Sequence, residues 1–162
     1  MLLRPIEESD FPFILSAVTD SRVNKTYMLP DFAGPADAFP LLRRLHALSR
    51  EENRFVRAIE AEGRCVGFLN DVEIIQDTIE LGYVIHPDFW GKGFATAALV
   101  LAIRQLHARG FRQVITGAFH ENAASIRVMK KAGMIRMEKE DAIEYRGTVH
   151  TCVYYRSTAK RE

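Results

Sequence analysis

A strand that passes through two glycines directly into a helix is the feature that most restricts how this chain folds. From Leu81 to Ala98 it reads Leu-Gly-Tyr-Val-Ile-His-Pro-Asp-Phe-Trp-Gly-Lys-Gly-Phe-Ala-Thr-Ala-Ala. Glycine lets the backbone approach a ligand closely, and the first turn of a helix presents unpaired N–H groups at a positive dipole end. This arrangement suits a pyrophosphate, although a tight β-α turn without any ligand explains an isolated Gly-x-Gly equally well.

Two other nucleotide-binding motifs fit this loop less well. A Walker loop requires Gly-x-x-x-x-Gly-Lys-Ser/Thr, which the chain lacks, and a Rossmann fingerprint belongs to the first β-α turn of its domain. Here Gly91-Lys92-Gly93 lies past mid-chain, and the strand predicted over Val114 to Phe119 carries no acid to hold a ribose. A nucleotide-dependent oxidoreductase or kinase is therefore the weaker alternative.

Hydrophobic periodicity and turn residues predict an α/β fold with a mixed, mostly antiparallel sheet and about four helices. A loop rich in proline is expected from Asn24 to Pro40, and a single domain over residues 1–162. Strands are predicted over Leu2 to Ile6, Phe55 to Ile59, Cys65 to Ile75, Ile79 to Ile85, Val114 to Phe119, Met134 to Tyr145 and Thr148 to Arg156. Helices are predicted after Ser9-Asp10, over Leu41 to Ser49, from Ala95 to a C-cap at Gly110, and over Ala123 to Ala132.

Composition excludes several classes of function. Lys plus Arg number 22 against 21 Asp plus Glu, so no strong field exists to attract nucleic acid or a membrane. Two cysteines are too few for a disulfide framework, and the scattered histidines predict no metal site. No signal peptide or bilayer-length apolar run is present, so we expect a soluble cytoplasmic protein.

The glycine loop resembles the Gln/Arg-x-x-Gly-x-Gly/Ala pattern of the GCN5-related N-acetyltransferases (GNAT). Gly93 and Ala95 occupy its last two fixed positions, and Trp90 replaces the usual Gln or Arg. The sequence Trp-Gly-x-Gly-Phe-Ala-Thr resembles the corresponding motif of the branch that acetylates N-terminal residues of ribosomal proteins. Asn122 to Met134 resembles the second family motif, an Asn-x-x-Ser/Ala helix leading to Lys-x-Gly-Phe. The resemblance spans nearly the whole chain.

This resemblance implies a GNAT fold whose sheet splays after the strand ending near Ile85, with acetyl-coenzyme A as the cofactor. It implies that the strand edge at Val84, Ile85 and His86 pairs with the pantetheine arm and that Asn122 also contacts the cofactor. The pyrophosphate is then expected to be bound by the loop residues Trp90, Gly91, Lys92, Gly93, Phe94 and Ala95.

The chemistry of amine acetylation suggests the catalytic candidates. An ammonium group must lose a proton before it attacks, and the departing thiolate needs a proton or a hydrogen-bond donor. Many GNAT enzymes use a Tyr for the thiolate, but Met129 stands there, so Ser125 is the candidate by resemblance. By the same resemblance Glu144 is favoured as the general base, and Glu80 is the alternative because other family members carry a catalytic glutamate there. Each is equally compatible with a solvated strand residue.

The predicted activity is direct transfer of an acetyl group to a primary amine within a ternary complex. The acceptor is a protein N-terminus or a small-molecule amine, and the enzyme is expected to be a monomer or a homodimer. The alternative from another class is a non-catalytic acyl-coenzyme A sensor or interaction module that keeps the loop without turnover.

Overall fold

Seven strands form one mixed sheet in the computed structural model, which describes residues 1–160. The strand order is β1-β2-β3-β4-β5-β7-β6. Four of the strand pairs, β1–β2, β2–β3, β5–β7 and β6–β7, are antiparallel, and β4–β5 is parallel. The predicted mixed, mostly antiparallel sheet is confirmed. The strands are β1 (Leu2–Arg4), β2 (Arg57–Ala61), β3 (Arg64–Ile75), β4 (Thr78–Ile85), β5 (Gln113–Phe119), β6 (Ile135–Tyr145) and β7 (Thr148–Thr158).

In the described part of the chain five α-helices accompany the sheet, one more than the sequence predicts. The additional one is a single turn, in which the Asp20 carboxylate accepts the Arg22 N–H at 2.8 Å. No helix within residues 1–160 combines the length and the hydrophobicity needed to cross a bilayer. The helices are α1 (Phe11–Val18), α2 (Ser21–Asn24), α3 (Pro35–Leu48), α4 (Phe94–Ala108) and α5 (Ala123–Lys131), with 3-10 turns at Glu8–Asp10 and Pro87–Phe89.

Helix α3 corrects the predicted loop, because it begins at Pro35 and not at Leu41. Proline suits the first helical position, where no N–H is needed, and the Asp37 carboxylate accepts the Ala33 N–H at 2.9 Å. Pro40 lies inside the helix, where proline costs about 3 kcal/mol. Burial of Ala38, Leu42 and Leu45 in the core offsets that cost, since a fully buried Leu contributes about 1.5–3 kcal/mol. Packing therefore overrides the local helix-breaking signal.

The chain forms two compact units that interleave along the sequence. Unit 1 contains Met1–Asp71 and Tyr83–Ala98, and unit 2 contains Val72–Gly82 and the chain from Leu99 onward. The single domain over residues 1–162 stays a prediction, and its last two residues lie outside the described part of the chain. In unit 1 the buried faces of α1 and α3 pack on residues of β2, β3 and β4.

The parallel pairing of β4 with β5 in unit 2 is short. It runs from Thr78 opposite Gln113 to Leu81 opposite Thr116, whereas β4 continues to Ile85 and β5 continues to Phe119. The end of this pairing agrees with the predicted splay of the β4 strand. On its other side β5 pairs with β7 along its whole length.

Gly67 allows β3 to approach the end of β4 within unit 1. A Cβ atom built on Gly67 would lie 2.0 Å from the Val84 carbonyl oxygen and 3.0 Å from the Ile85 Cα atom. Both of these neighbours belong to the backbone, which cannot rotate away as a flexible side chain does. The size of the residue at position 67 therefore limits how closely β3 can approach the end of β4, the strand that leads to the glycine loop.

Replacing Gly67 with Ala should destabilise the protein, because the new methyl group must push the end of β4 aside. Overpacking of this kind costs about 1–3 kcal/mol, and each kcal/mol lowers the melting temperature by roughly 2–4 °C in a domain of this size. Thermal unfolding followed by circular dichroism measures the loss. Gly34→Ala is the matched control, because Gly34 has extended backbone and nothing within 4 Å of its added Cβ. Equal melting temperatures for the two variants would contradict the predicted clash.

Candidate active site

The glycine loop of unit 1 joins the end of β4 to the start of α4. Gly91 and Gly93 have φ angles of 74° and 78°, in the left-handed region that side chains with a Cβ rarely adopt. A Cβ on either glycine would meet nothing within 4 Å, so backbone conformation and not space requires glycine here. The loop residues Gly91, Lys92 and Gly93 are all exposed.

The first hydrogen bond of α4 runs from the Ala97 N–H to the Gly93 carbonyl at 3.1 Å. The N–H groups of Phe94, Ala95 and Thr96 precede it and by helix geometry have no partner within the helix. Together with the positive end of the helix dipole, these donors suit a phosphate-bearing ligand. Binding of the cofactor by this loop stays a prediction, and these free helix-start donors are what it requires.

The backbone groups at the end of β4 divide between two sides of the strand. The His86 N–H donates to Val66 O at 2.9 Å, and the His86 carbonyl accepts the Phe89 N–H at 2.9 Å. Because successive residues of a strand direct their polar groups to opposite edges, those of Ile85 face away from β3. Among the three residues predicted to contact pantetheine, Ile85 is the one whose backbone is turned away from β3. The cofactor roles predicted for Val84, Ile85 and His86 all stay predictions.

A hydrogen bond from the Trp90 side chain holds the loop against the end of β4, and the sequence did not predict this bond. Its indole Nε1–H donates to the Ile85 carbonyl oxygen at 2.7 Å, while 49% of the residue stays exposed. The Arg22 guanidinium carbon lies 6.0 Å from the centre of the indole ring. Where the family pattern has Gln or Arg, this chain uses an aromatic donor that binds the protein's own backbone.

Aromatic rings pack next to the loop, and two positively charged side chains contact one of them. The Phe89 ring centre lies 6.3 Å from that of Phe94 and 5.7 Å from that of Phe13. Lys92 Nζ lies 5.3 Å from the Phe89 ring centre, and the Arg64 guanidinium carbon lies 4.7 Å from it. Cation–π contacts of this kind hold two cations near the loop, where they favour an anionic ligand.

In unit 2 the predicted residues Asn122 and Ser125 lie together at the start of α5. Asn122 is the N-cap residue, and its side-chain oxygen accepts the Ser125 N–H at 3.1 Å. The Asn-x-x-Ser pattern therefore has a local structural reason as well as the predicted functional one. Met129, which stands where many GNAT enzymes have a Tyr, is fully buried in this chain.

Glu80 is a half-buried carboxylate in β4 of unit 2. Burial raises the pKa of the Glu80 carboxyl above its ordinary value, Lys139 opposes this rise, and Glu73 and Asp141 add to it. Asp141 accepts a hydrogen bond from the Tyr154 hydroxyl at 2.8 Å. The group is therefore easier to protonate than an exposed glutamate, as a general base near neutral pH should be.

Glu80 and Glu144 lie on opposite faces of the unit 2 sheet. Glu80 is paired with Ile115, which packs against a buried cluster of Phe119, Cys152 and Tyr154. Glu144 is exposed and is paired with Val149, itself 68% exposed, next to the hairpin turn. The structure thus places Glu80 on the face that carries this cluster, here called the aromatic face, and Glu144 on the opposite face, exposed beside the hairpin turn.

Both cysteines are free and buried. Burial raises the pKa of the Cys65 thiol to about 11 and also raises the pKa of the Cys152 thiol. A nucleophilic cysteine needs a lowered pKa, so neither thiol has the environment of a covalent catalyst.

Comparison with known proteins agrees with this geometry. The profile of the Acetyltransferase (GNAT) domain matches residues 1–135 of the chain. The spermidine N(1)-acetyltransferase of Escherichia coli strain K12 is 27% identical over 164 residues, covering 94% of this chain and 84% of that enzyme.

Solved structures share the fold. A GNAT-family acetyltransferase from Bacillus anthracis has a TM-score of 0.80 at 24% identity and covers 97% of this chain and 93% of its own. RimL, a ribosomal L7/L12 alpha-N-protein acetyltransferase solved with coenzyme A, has a TM-score of 0.83 at 20% identity and covers 96% and 92%. The predicted fold class is confirmed by this agreement.

Replacing Gly93 with Val should weaken coenzyme A binding, because a β-branched residue disfavours the left-handed loop conformation. Strain of about 1–3 kcal/mol at such a position corresponds to roughly a 5- to 150-fold loss of affinity if the loop must keep its shape. Isothermal titration calorimetry with coenzyme A measures this loss. Gly110→Val is the matched control, since Gly110 has a φ of 100° at the other end of α4. An unchanged dissociation constant in Gly93→Val would refute the loop assignment.

Proposed function

This chain belongs to the GNAT family of acetyltransferases and is an N-acetyltransferase that uses acetyl-coenzyme A; on that premise we propose that it transfers the acetyl group directly to a primary amine in a ternary complex. The single observation that carries the proposal is the loop of Gly91 and Gly93, which presents the amides at the head of α4. Direct transfer is favoured because both thiols are buried and their pKa values are raised by burial.

The residues of the loop bind and orient the cofactor in this proposal. The N–H groups of Phe94, Ala95 and Thr96 would hold the pyrophosphate, with Lys92 adding positive charge. The Ile85 backbone, fixed by the Trp90 indole, would pair with the pantetheine arm. When bound, acetyl-coenzyme A supplies the acetyl group as a thioester. Positioning of the two reactants then contributes a large part of the rate enhancement.

Glu80 is the better supported of the two predicted bases. Its raised pKa keeps it able to accept a proton from an ammonium group near neutral pH, and it shares a face with the aromatic cluster of unit 2. The exposed position of Glu144 gives no such environment. We therefore assign the first proton transfer to Glu80, and Glu144 remains the alternative.

Ser125 is proposed to hydrogen-bond the departing thiolate. Its place in the first turn of α5, with its N–H held by Asn122, fixes the direction of its side chain relative to the helix start. A hydroxyl there can donate to sulfur, and the positive end of the helix dipole favours the developing negative charge.

Two classes of acceptor amine are supported by different observations. The charges of Glu73 and Asp141 act on Glu80 and are partly offset by Lys139. The net negative charge favours an amine with additional positive charge, such as a polyamine. The loop sequence Trp-Gly-x-Gly-Phe-Ala-Thr favours a protein N-terminus, as in the ribosomal-type branch. The polyamine class is our first choice, since it rests on side chains that share one region of unit 2.

Thiol release from acetyl-coenzyme A with a panel of amines tests this function. We expect spermidine to give the higher kcat/KM and a peptide with N-terminal Ala to give the lower one, with little release when no amine is present. A preference for the peptide would instead assign the chain to the ribosomal-type branch. Tight coenzyme A binding without any amine-dependent release would identify a non-catalytic sensor instead.

Glu80→Gln should lower kcat by about 10²-fold, the contribution of a general base, whereas Glu144→Gln should leave kcat near that of the wild type. The reverse result would assign the base to Glu144.

The same Glu80 substitution should raise the melting temperature at pH 7. A carboxyl whose pKa is raised on folding lowers stability as the pH rises from its ordinary value of 4.5 through the folded value. Gln carries no such charge, so the advantage of Glu80→Gln should vanish when the pH falls below 4.5.

A further inference from the structure

The side chain of Lys139 marks a position in unit 2 that binds a cation. Its Nζ atom lies 3.6 Å from the Asp141 carboxylate and 4.5 Å from the centre of the Tyr154 ring. A carboxylate and the face of an aromatic ring both attract ammonium ions. Asp141 and Tyr154, here called the ammonium site, therefore hold a cation that belongs to the chain itself.

An irregularity in β6 brings Lys139 over the Tyr154 ring. The pairing of β6 with β7 is interrupted between Arg136 and Glu140. The three residues 137–139 there stand opposite one residue of β7, Tyr154. Extra residues in one strand bend it and redirect its side chains, and such bulges are common beside active sites. The bulge therefore has a consequence beyond the shape of the hairpin, because it directs an ammonium group onto the aromatic face.

The Tyr154 side chain is fixed by its neighbours. A Cβ atom on Gly117, which is paired with Tyr154, would lie 2.8 Å from the ring, so glycine leaves the room that the ring occupies. Tyr154 is 5% exposed, and its hydroxyl donates to the Asp141 carboxylate at 2.8 Å. Burial and this hydrogen bond raise the pKa of the Tyr154 hydroxyl, which therefore remains a donor at neutral pH. The ring and the carboxylate thus keep one relative position.

Lys139 is held in the ammonium site only weakly. The 3.6 Å from its Nζ atom to the Asp141 carboxylate exceeds the length of a charged hydrogen bond, about 2.7–2.9 Å. The two side chains are 53% and 44% exposed, and ion pairs between exposed side chains contribute little to stability. Another ammonium group can therefore displace that of Lys139 at small cost, while the carboxylate and the ring stay in place.

The ammonium site lies on the same face of unit 2 as Glu80. Asp141 is paired with Cys152, a member of the cluster that defines the aromatic face. The charges of Lys139 and Asp141 act on Glu80. The charge of Glu80 in turn acts on Tyr154. One region of unit 2 therefore contains the proposed base for one nitrogen and a binding site for a second, charged one.

We propose that the ammonium site binds the second ammonium group of the acceptor amine, which displaces Lys139; this rests on the proposed function. An ammonium ion beside a carboxylate is stabilised in its charged form, so the group bound there keeps its proton and cannot attack the thioester. The reacting nitrogen is then the one that Glu80 deprotonates. The substrate class is an aliphatic amine with two or more ammonium groups, and Lys139 competes with it for the site.

Selectivity for spermidine over n-butylamine, measured as the ratio of their kcat/KM values, tests this site. Butylamine has the aminobutyl group of spermidine without a second cation, and the ratio cancels effects through Glu80 that both substrates share. We expect Asp141→Asn to lower the ratio about tenfold, the loss of one charged contact. Asn can still accept the Tyr154 hydrogen bond, so the fold should be kept. Glu138→Gln, which alters an exposed acid of the same strand, should leave the ratio unchanged.

Lys139→Gln should change the selectivity in the opposite direction. Removal of the competing ammonium group should raise the ratio roughly two- to fivefold, the size of a surface ion pair. Lys131→Gln, which removes an exposed lysine of α5, is the matched control and should not change the ratio. A ratio in Asp141→Asn or in Lys139→Gln that equals the ratio in its control overturns the proposal.

Calorimetric titration of spermidine into the enzyme saturated with coenzyme A adds a measurement without turnover. Spermidine affinity should fall about tenfold in Asp141→Asn and rise in Lys139→Gln. If affinity follows these directions while no spermidine is acetylated, the ammonium site stands and the proposed reaction fails. Acetylation of spermidine with the same affinity and selectivity in the variants as in their controls leaves the proposed function standing and overturns the ammonium site.

Discussion

The cofactor loop depends on how the backbone N–H and carbonyl groups at the end of β4 are hydrogen-bonded. His86 uses its N–H and carbonyl inside unit 1, and Gly67 allows β3 close enough for that to happen. Ile85 is then left facing the other way, with its carbonyl held by the Trp90 indole. A loop anchored at both ends presents its amides in a fixed direction, so little ordering is required when an anion binds.

A second constraint, the register of β6 against β7, arranges the chemistry of unit 2. The turn at Arg146 and Gly147, both with positive φ, sets which residues of the two strands oppose one another. A slip of one residue in β6 against β7, with β7 held by its pairing with β5, would turn over the faces of β6. Glu144 would then enter the face that carries the cluster of Phe119, Cys152 and Tyr154. A two-residue turn therefore keeps Glu144 away from that cluster.

Local signals were sufficient for most of the fold. Alternating and helical periodicity predicted all seven strands and the helix after the glycine loop, and Asn122 was predicted as a cap from its residue type. The predicted start of α3 was wrong, because Pro40 breaks helices locally while burial of Leu42 and Leu45 decides the outcome. The Tyr154–Asp141 contact joins positions 13 residues apart, and no local pattern marks such a pair. Strand register, which the turn residues partly reveal, was the signal that could have exposed it.

Trp90 is the single tryptophan of the chain, and it sits half exposed at the mouth of the loop with its N–H tied to β4. Indole emission responds to changes in solvent contact and hydrogen bonding, and no other indole contributes a background. The molecule therefore carries its own optical probe at the position where the cofactor is proposed to bind. Stopped-flow fluorescence can follow the arrival and departure of the ligand without any label.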